Sequence, residues 1–101
     1  MQIKIDDNVS NFIESLEDPT IAKVLRTIDL LEKFGHALSL PHSKPLGKGL
    51  FELRIRGEQD VRIFYAFHEA GAVLLHAFIK KSSHTPQKEL AAAKQKMKAL
   101  T

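Results

Sequence analysis

Three arginines stand close together in the second half of the chain, Arg54, Arg56 and Arg62, followed by Lys80-Lys81 and His84. Guanidinium groups bind phosphate bidentately from a rigid frame and stabilise negative charge developing on phosphorus, which a flexible Lys does less rigidly. From Leu50 to Arg56 polar and apolar residues alternate, so Phe51, Leu53 and Ile55 share one face of a half-buried strand and Glu52, Arg54 and Arg56 the other. The next run, Val61 to His68, sets Val61, Ile63, Tyr65 and Phe67 against Arg62, Phe64, Ala66 and His68. As antiparallel neighbours these strands bring Arg54 and Arg56 beside Arg62 on the outward face. Like charges facing each other on a sheet cost stability, so such a cluster is expected where carboxylates neutralise it or an anion is bound. Glu52, Glu58 and Asp60 are at hand for neutralisation, so a solvated charged face and a phosphate site are the competing readings.

Other reactive groups are sparse. The chain has no Cys, which excludes disulfides, thiolate nucleophiles and Cys-containing zinc sites. No two of the five His share a helical i, i+4 spacing or lie near a third ligand, so no metal site is expected. His76 lies in an apolar run and reads as a satisfied residue under the sheet, and Tyr65 as core with its hydroxyl at an edge.

The elements that must position these groups follow from periodicity. Gln2 to Ile5 alternates and runs into Asp7, Asn8 and Ser10, a short strand leading into a helix cap. Val9, Phe12, Ile13 and Leu16 form one amphipathic stripe, and after Asp18-Pro19 the residues Ile21, Val24, Leu25, Ile28 and Leu31 carry a second to a stop at Gly35. His36 to Gly49, with two Pro and two Gly, reads as a long loop. Strands at Leu50–Arg56, Val61–His68 and Ala72–Lys80 form an antiparallel meander, and Thr85-Pro86 opens a last helix with a thin stripe of Leu90, Ala93, Met97 and Leu100. The expected fold is α+β: two N-terminal helices on a four-stranded, mainly antiparallel sheet, and a C-terminal helix.

With 101 residues and 44% hydrophobic content the chain suits one domain, 1–101, with a single core. The start lacks a basic and an apolar targeting segment, and no apolar run approaches a membrane span, so a cytoplasmic protein without membrane contact is expected. The net charge of +3 hides an asymmetry: four Lys/Arg against seven Asp/Glu before Pro41, and eleven against five after it. A basic half suits a polyanionic partner, RNA, DNA or an acidic protein segment.

Leu46-Gly47-Lys48-Gly49-Leu50-Phe51-Glu52-Leu53-Arg54, Val61-Arg62-Ile63-Phe64-Tyr65, Leu74-Leu75-His76-Ala77-Phe78-Ile79-Lys80-Lys81, and His84-Thr85-Pro86 with Glu89-Leu90-Ala91-Ala92-Ala93 stand in order. In that order and spacing they resemble consecutive blocks of the RelE superfamily, in its phage-derived HigB-like branch. The resemblance implies a type II toxin with a compact RelE-like fold, entering the ribosomal A site and cutting mRNA, neutralised by a cognate antitoxin through which alone operator DNA is reached. It implies no cofactor and no metal. By position, Arg54 and Arg62 become catalytic phosphate-stabilising residues, Lys80 and Lys81 the basic exit of the last strand, and Lys48 and Arg56 contacts to backbone phosphates. Some members carry a Tyr at the start of the last helix; here His84 is the local substitute, with Lys81 or Arg54 sharing proton transfer.

Three function classes follow: the ribosome-dependent endoribonuclease, a ParE-like relative that poisons DNA gyrase without cleaving, and an inactive relative kept as a binding module. Arg54, Arg62 and Lys80-Lys81 together favour the first. An antitoxin is expected to meet the basic half with acidic residues and an apolar anchor near Phe64 and the last helix, or to block ribosome entry from the helical side.

Overall fold

The computed structural model describes residues 1–100. Strand β1 (Gln2–Ile5) leads directly into helix α1 (Asp7–Glu14), whose N-cap Asp6 accepts a hydrogen bond from the Asn8 amide at 2.9 Å. Helix α2 (Asp18–Phe34) carries Pro19 in its first turn, where a missing N–H costs nothing, and ends at Gly35, whose φ of 52° is open to glycine at little cost. Four strands follow, β2 (Ser43–Gly47), β3 (Leu50–Ile55), β4 (Val61–His68) and β5 (Gly71–Ile79), and then helix α3 (Gln87–Lys98).

The sheet has five strands in the order β1-β5-β4-β3-β2, one more than expected, and it is mixed because β1 runs parallel to β5. The additional strand, β2, lies inside the segment read as loop. Pro45 sits opposite Phe51 in an irregular edge pairing with β3, a place where proline removes no needed bond. The β3–β4–β5 meander is as expected, with one irregularity: the β4–β5 register shifts between Phe64 and Tyr65. Phe64 pairs with His76 and Tyr65 with Leu74, so Leu75 is an extra residue on β5. The extra residue shifts the alternation of β5: Leu74 joins the cluster under α1 and α2, and Leu75 and His76 both face the α3 side.

Those clusters cover both faces of the sheet, where one core was expected. Val9, Ile13, Val24, Leu31, Leu53, Ile63 and Tyr65 join α1 and α2 to one face. Leu50, Phe64, Ala66, Leu75, Phe78 and Ala93 join α3 to the other. Phe64 is fully buried there, which removes it as an exposed anchor for a partner. Two polar ties hold the thin stripe of α3: His76 Nε2 meets Glu89 Oε1 at 2.7 Å, and Lys96 Nζ donates to Asp6 Oδ1 at 2.8 Å. Among the described residues no helix is long and apolar enough to cross a membrane.

Candidate functional site

Pairing between β3 and β4 sets Arg54 directly opposite Arg62 on the α3 side of the sheet. Each arginine has a carboxylate two residues away on its own strand or turn. Arg54 Nε lies 3.6 Å from Glu52 Oε1, and Arg62 Nη1 lies 3.3 Å from Asp60 Oδ1. Glu52 is buried and Asp60 half-exposed, so neutralisation by carboxylates is partly realised; Glu58 stays exposed in the turn.

Arg62 departs from the outward, solvated placement expected of it. Its relative exposure is 1%, because Phe78 stands opposite it on β5 and α3 covers this face further along. Its one hydrogen bond, from Nη2 to Asp60 Oδ2, is long at 3.4 Å, while Nε and Nη1 have no hydrogen-bond acceptor among the described residues. Arg54 Nε is likewise buried without one. Burial pushes the Arg62 guanidinium below its ordinary value; Asp60 and Glu52 pull it back, and the charges of Arg54 and Arg56 push it down further. A buried cation with unmet donors costs stability unless an acceptor group completes it. Two guanidinium groups on adjacent strands thus hold unmet donors whose oxygen-binding capacity is unused, and because these nitrogens are closed to solvent an oxyanion reaches them only when this face of the sheet opens.

The other expected site residues fall into two groups. Lys80 extends the strand beside Arg62: its amide donates to the Asp60 carbonyl at 2.7 Å, so its backbone lies one step beyond the β4–β5 ladder. Lys81 and His84 lie exposed in the connection from β5 to α3, and among the described residues neither forms a hydrogen bond or ion pair with the side chains of Arg54 or Arg62. Lys48 is at the tip of the β2–β3 hairpin with φ 54°, off the Leu50 end of β3. Four residues of strand from Leu50 to Arg54 span about 13 Å, which separates Lys48 from the arginine pair. It instead borders a groove with Leu46, Thr85, Leu90 and Lys94.

Beside Arg54 and Arg56 lies a cleft of about 260 Å³, closed on its other side by Lys23 and Arg26 of α2 and by His42. Neither helical residue is marked out by local sequence, because both lie on the polar side of an amphipathic helix; only the tertiary approach of α2 to β3 brings them in. Tyr65 is core, as expected, with its hydroxyl bonded to Ser43 Oγ at 2.5 Å on edge strand β2. No group of three or more His, Asp or Glu among the described residues is arranged to hold a metal ion.

The search of curated proteins gives no match to the chain. A family model, described as phage-derived protein Gp49-like (DUF891), matches residues 11–98. That span takes in the end of α1, all of α2, the four strands β2 to β5 and all of α3, and with them every residue of the arginine site. The chain therefore belongs to the phage-derived Gp49-like family, a family associated with the toxins of toxin–antitoxin systems.

Proposed function

We propose that the protein is the toxin of a type II toxin–antitoxin pair, of the RelE superfamily and its HigB-like branch, and that it cleaves mRNA in a ribosome-dependent reaction in the cytoplasm. The observation that supports this most is the buried, donor-rich Arg62 facing Arg54 across β3 and β4. In the reaction the ribose 2′-oxygen bonds to the adjacent phosphorus and the P–O5′ bond breaks, leaving a 2′,3′-cyclic phosphate and a 5′-hydroxyl. The proton lost by the 2′-hydroxyl goes to a base, and an acid supplies one to O5′. Arg62 and Arg54 stabilise the charge on the phosphorane oxygens, each such donor contributing roughly 10²- to 10³-fold. Lys81 and His84, on the exposed connection next to Lys80, supply the proton transfers, and Lys80 and Arg56 hold neighbouring phosphates. Lys48, at the far hairpin tip, meets RNA only outside this centre. The cognate antitoxin neutralises the toxin by occupying the basic half.

Primer extension on mRNA from cells expressing the protein tests this reading. Discrete cleavage within translated regions, lost in Arg54→Ala and Arg62→Ala, is the expected result. Growth inhibition without cleavage, with DNA gyrase blocked, would replace it with the gyrase-poison reading. Neither effect, with antitoxin or nucleic-acid binding retained, would leave a binding module.

A further inference from the structure

The apolar cluster that buries Phe64 reaches the surface in a groove of about 380 Å³ between the tip of the β2–β3 hairpin and α3. Its walls are aliphatic: Leu46 from the hairpin, Leu50 from the start of β3 and Leu90 from α3. Leu46 is placed there by an irregularity in the sheet. Pro45 pairs with Phe51 and Gly47 with Leu50, so Leu46 is an extra residue on β2, set outside the alternation of the edge strand and 36% exposed. Lys48 and Lys94 stand at the rim, one on each side, and among the described residues neither has a carboxylate within ion-pair distance. Glu89, beside Leu90 in the helix, is turned to His76 at 2.7 Å. The groove thus joins an apolar floor to a positive rim.

We infer that this groove seats an acidic amphipathic helix of the neutralising partner, with aliphatic side chains against Leu46, Leu50 and Leu90 and carboxylates against Lys48 and Lys94. This rests on the toxin reading and names the surface that its antitoxin takes. The lining selects against RNA: no arginine offers a bidentate phosphate contact and no aromatic ring offers a face to a base, while three leucines would lie against a polar backbone. It selects a helix over an added strand, because Pro45, which has no N–H, and the irregular pairing at Leu46 interrupt β2 as a template. It selects a separate chain over a second copy, since the chain's own acidic helices have their apolar stripes, Val9 and Ile13 of α1 and Val24 and Leu31 of α2, in the core. The groove opens on the face of the sheet that carries Arg54 and Arg62, and Leu50 lies about 13 Å along β3 from Arg54, so a helix seated here stands in the way of RNA approaching the pair.

The probe is a synthetic peptide of about 15 residues with Leu at i, i+3, i+4 and i+7 and Glu elsewhere, titrated into isotope-labelled protein and followed by amide NMR shifts. Shifts confined to residues 46–50 and 85–94 are expected, with affinity falling as salt rises. Leu46→Gln, at a partly exposed position, is expected to weaken binding about fivefold or more while leaving the fold and the cleavage read by primer extension as in wild type. Lys48→Gln/Lys94→Gln is expected to flatten the salt dependence, and Lys4→Gln/Lys33→Gln, which removes the same charge from exposed positions elsewhere, to leave it unchanged. No binding at low salt, shifts centred elsewhere, undiminished affinity in Leu46→Gln or an equal flattening in the control would each overturn the inference. So would a 2′-O-methyl RNA that shifts the same amides and displaces the peptide, which would make this a nucleic-acid groove. Binding is read without cleavage, so the two readings fail separately: peptide in the groove of a protein that cuts no mRNA would keep the inference and remove the endoribonuclease reading, and cleavage without peptide binding would do the reverse.

Discussion

Arg54 and Arg62 face each other across β3 and β4, yet each is turned to its own carboxylate, Glu52 and Asp60, and each retains a buried nitrogen without an acceptor. The pair is therefore balanced in part, with donor capacity left over for a third group.

From this follows a separation of stability from activity at Arg62. Removing one member of a buried ion pair usually costs stability because it strands the other charge, but Asp60 is half-exposed and can return to water, and Arg62 has two donors unmet to begin with. Arg62→Leu is expected to hold or raise the unfolding free energy read from urea melts, by up to about 1 kcal/mol, while cleavage falls roughly 10²-fold or more. Arg62→Ala, which also opens a cavity, is expected to be the less stable of the two. Urea unfolding alongside primer extension checks both; a Leu variant that keeps full cleavage would remove Arg62 from the mechanism.

Asp6 links α1 to α3 and carries an acid-sensitive contribution. The hydrogen bond from Lys96, then that from the Asn8 amide and the Lys96 charge, hold its carboxyl below the usual carboxylate value against a smaller effect of burial. A lowered native value means the contribution is present above the unfolded carboxylate value, about 3.9, and is lost as pH falls through the native one. Stability measured from pH 7 down to 3 should decline less steeply in Asp6→Asn than in wild type. Asp6→Ala, which also loses the cap, should cost about 1 kcal/mol at pH 7.

At the alkaline end Tyr65 behaves in the opposite sense. Burial pushes its phenol above the ordinary value, more than the bond with Ser43 lowers it. The unfolded chain then releases this proton first, so stability is full below about pH 10 and falls as pH rises through the native value. Tyr65→Phe is expected to flatten that fall, and at neutral pH to cost roughly 1 to 2 kcal/mol because Ser43 Oγ is left buried without its partner. Denaturant melts at pH 7 and 10.5 read both effects.

Gly71 opens β5 where β1 lies alongside, and a Cβ there would collide with the Gln2 carbonyl oxygen. Gly71→Ala is expected to displace β1 at a cost of about 1 to 3 kcal/mol. Hydrogen exchange should show loss of protection for the β1–β5 amides and retention for β3–β4; unchanged protection in β1 would contradict the packing described.

The arginine pairing was legible because β3 alternates from Phe51 to Arg56 and is joined to β4 by a short polar turn, which leaves few registers. The depth of Arg62 was not, since whether a sheet face is solvated depends on a helix that follows it at a distance along the chain. Strand β2 escaped because its Pro45 and Gly47 carry loop signals that an edge position tolerates. The covering of β5 on both faces was legible in its apolar run, whereas the bulge at Leu75 was not, since a run apolar on both sides shows no period to break. Lys23 and Arg26 were invisible as site residues because their spacing along α2 is that of any solvated helical face, and their meaning lies in what faces them.

The parallel β1–β5 pair, which joins residues 2–5 to residues 71–74, also bears on the order of assembly. During synthesis β1 has no strand to pair with until most of the chain exists, whereas the β3–β4 hairpin closes over a short turn. Local pairs form early and distant ones late, so the arginine hairpin should be hydrogen-bonded before the first strand docks. Pulse-labelled exchange during refolding should find the β3–β4 amides protected ahead of those joining β1 to β5. The nascent chain would then carry a formed arginine hairpin while its sheet is still open at one edge.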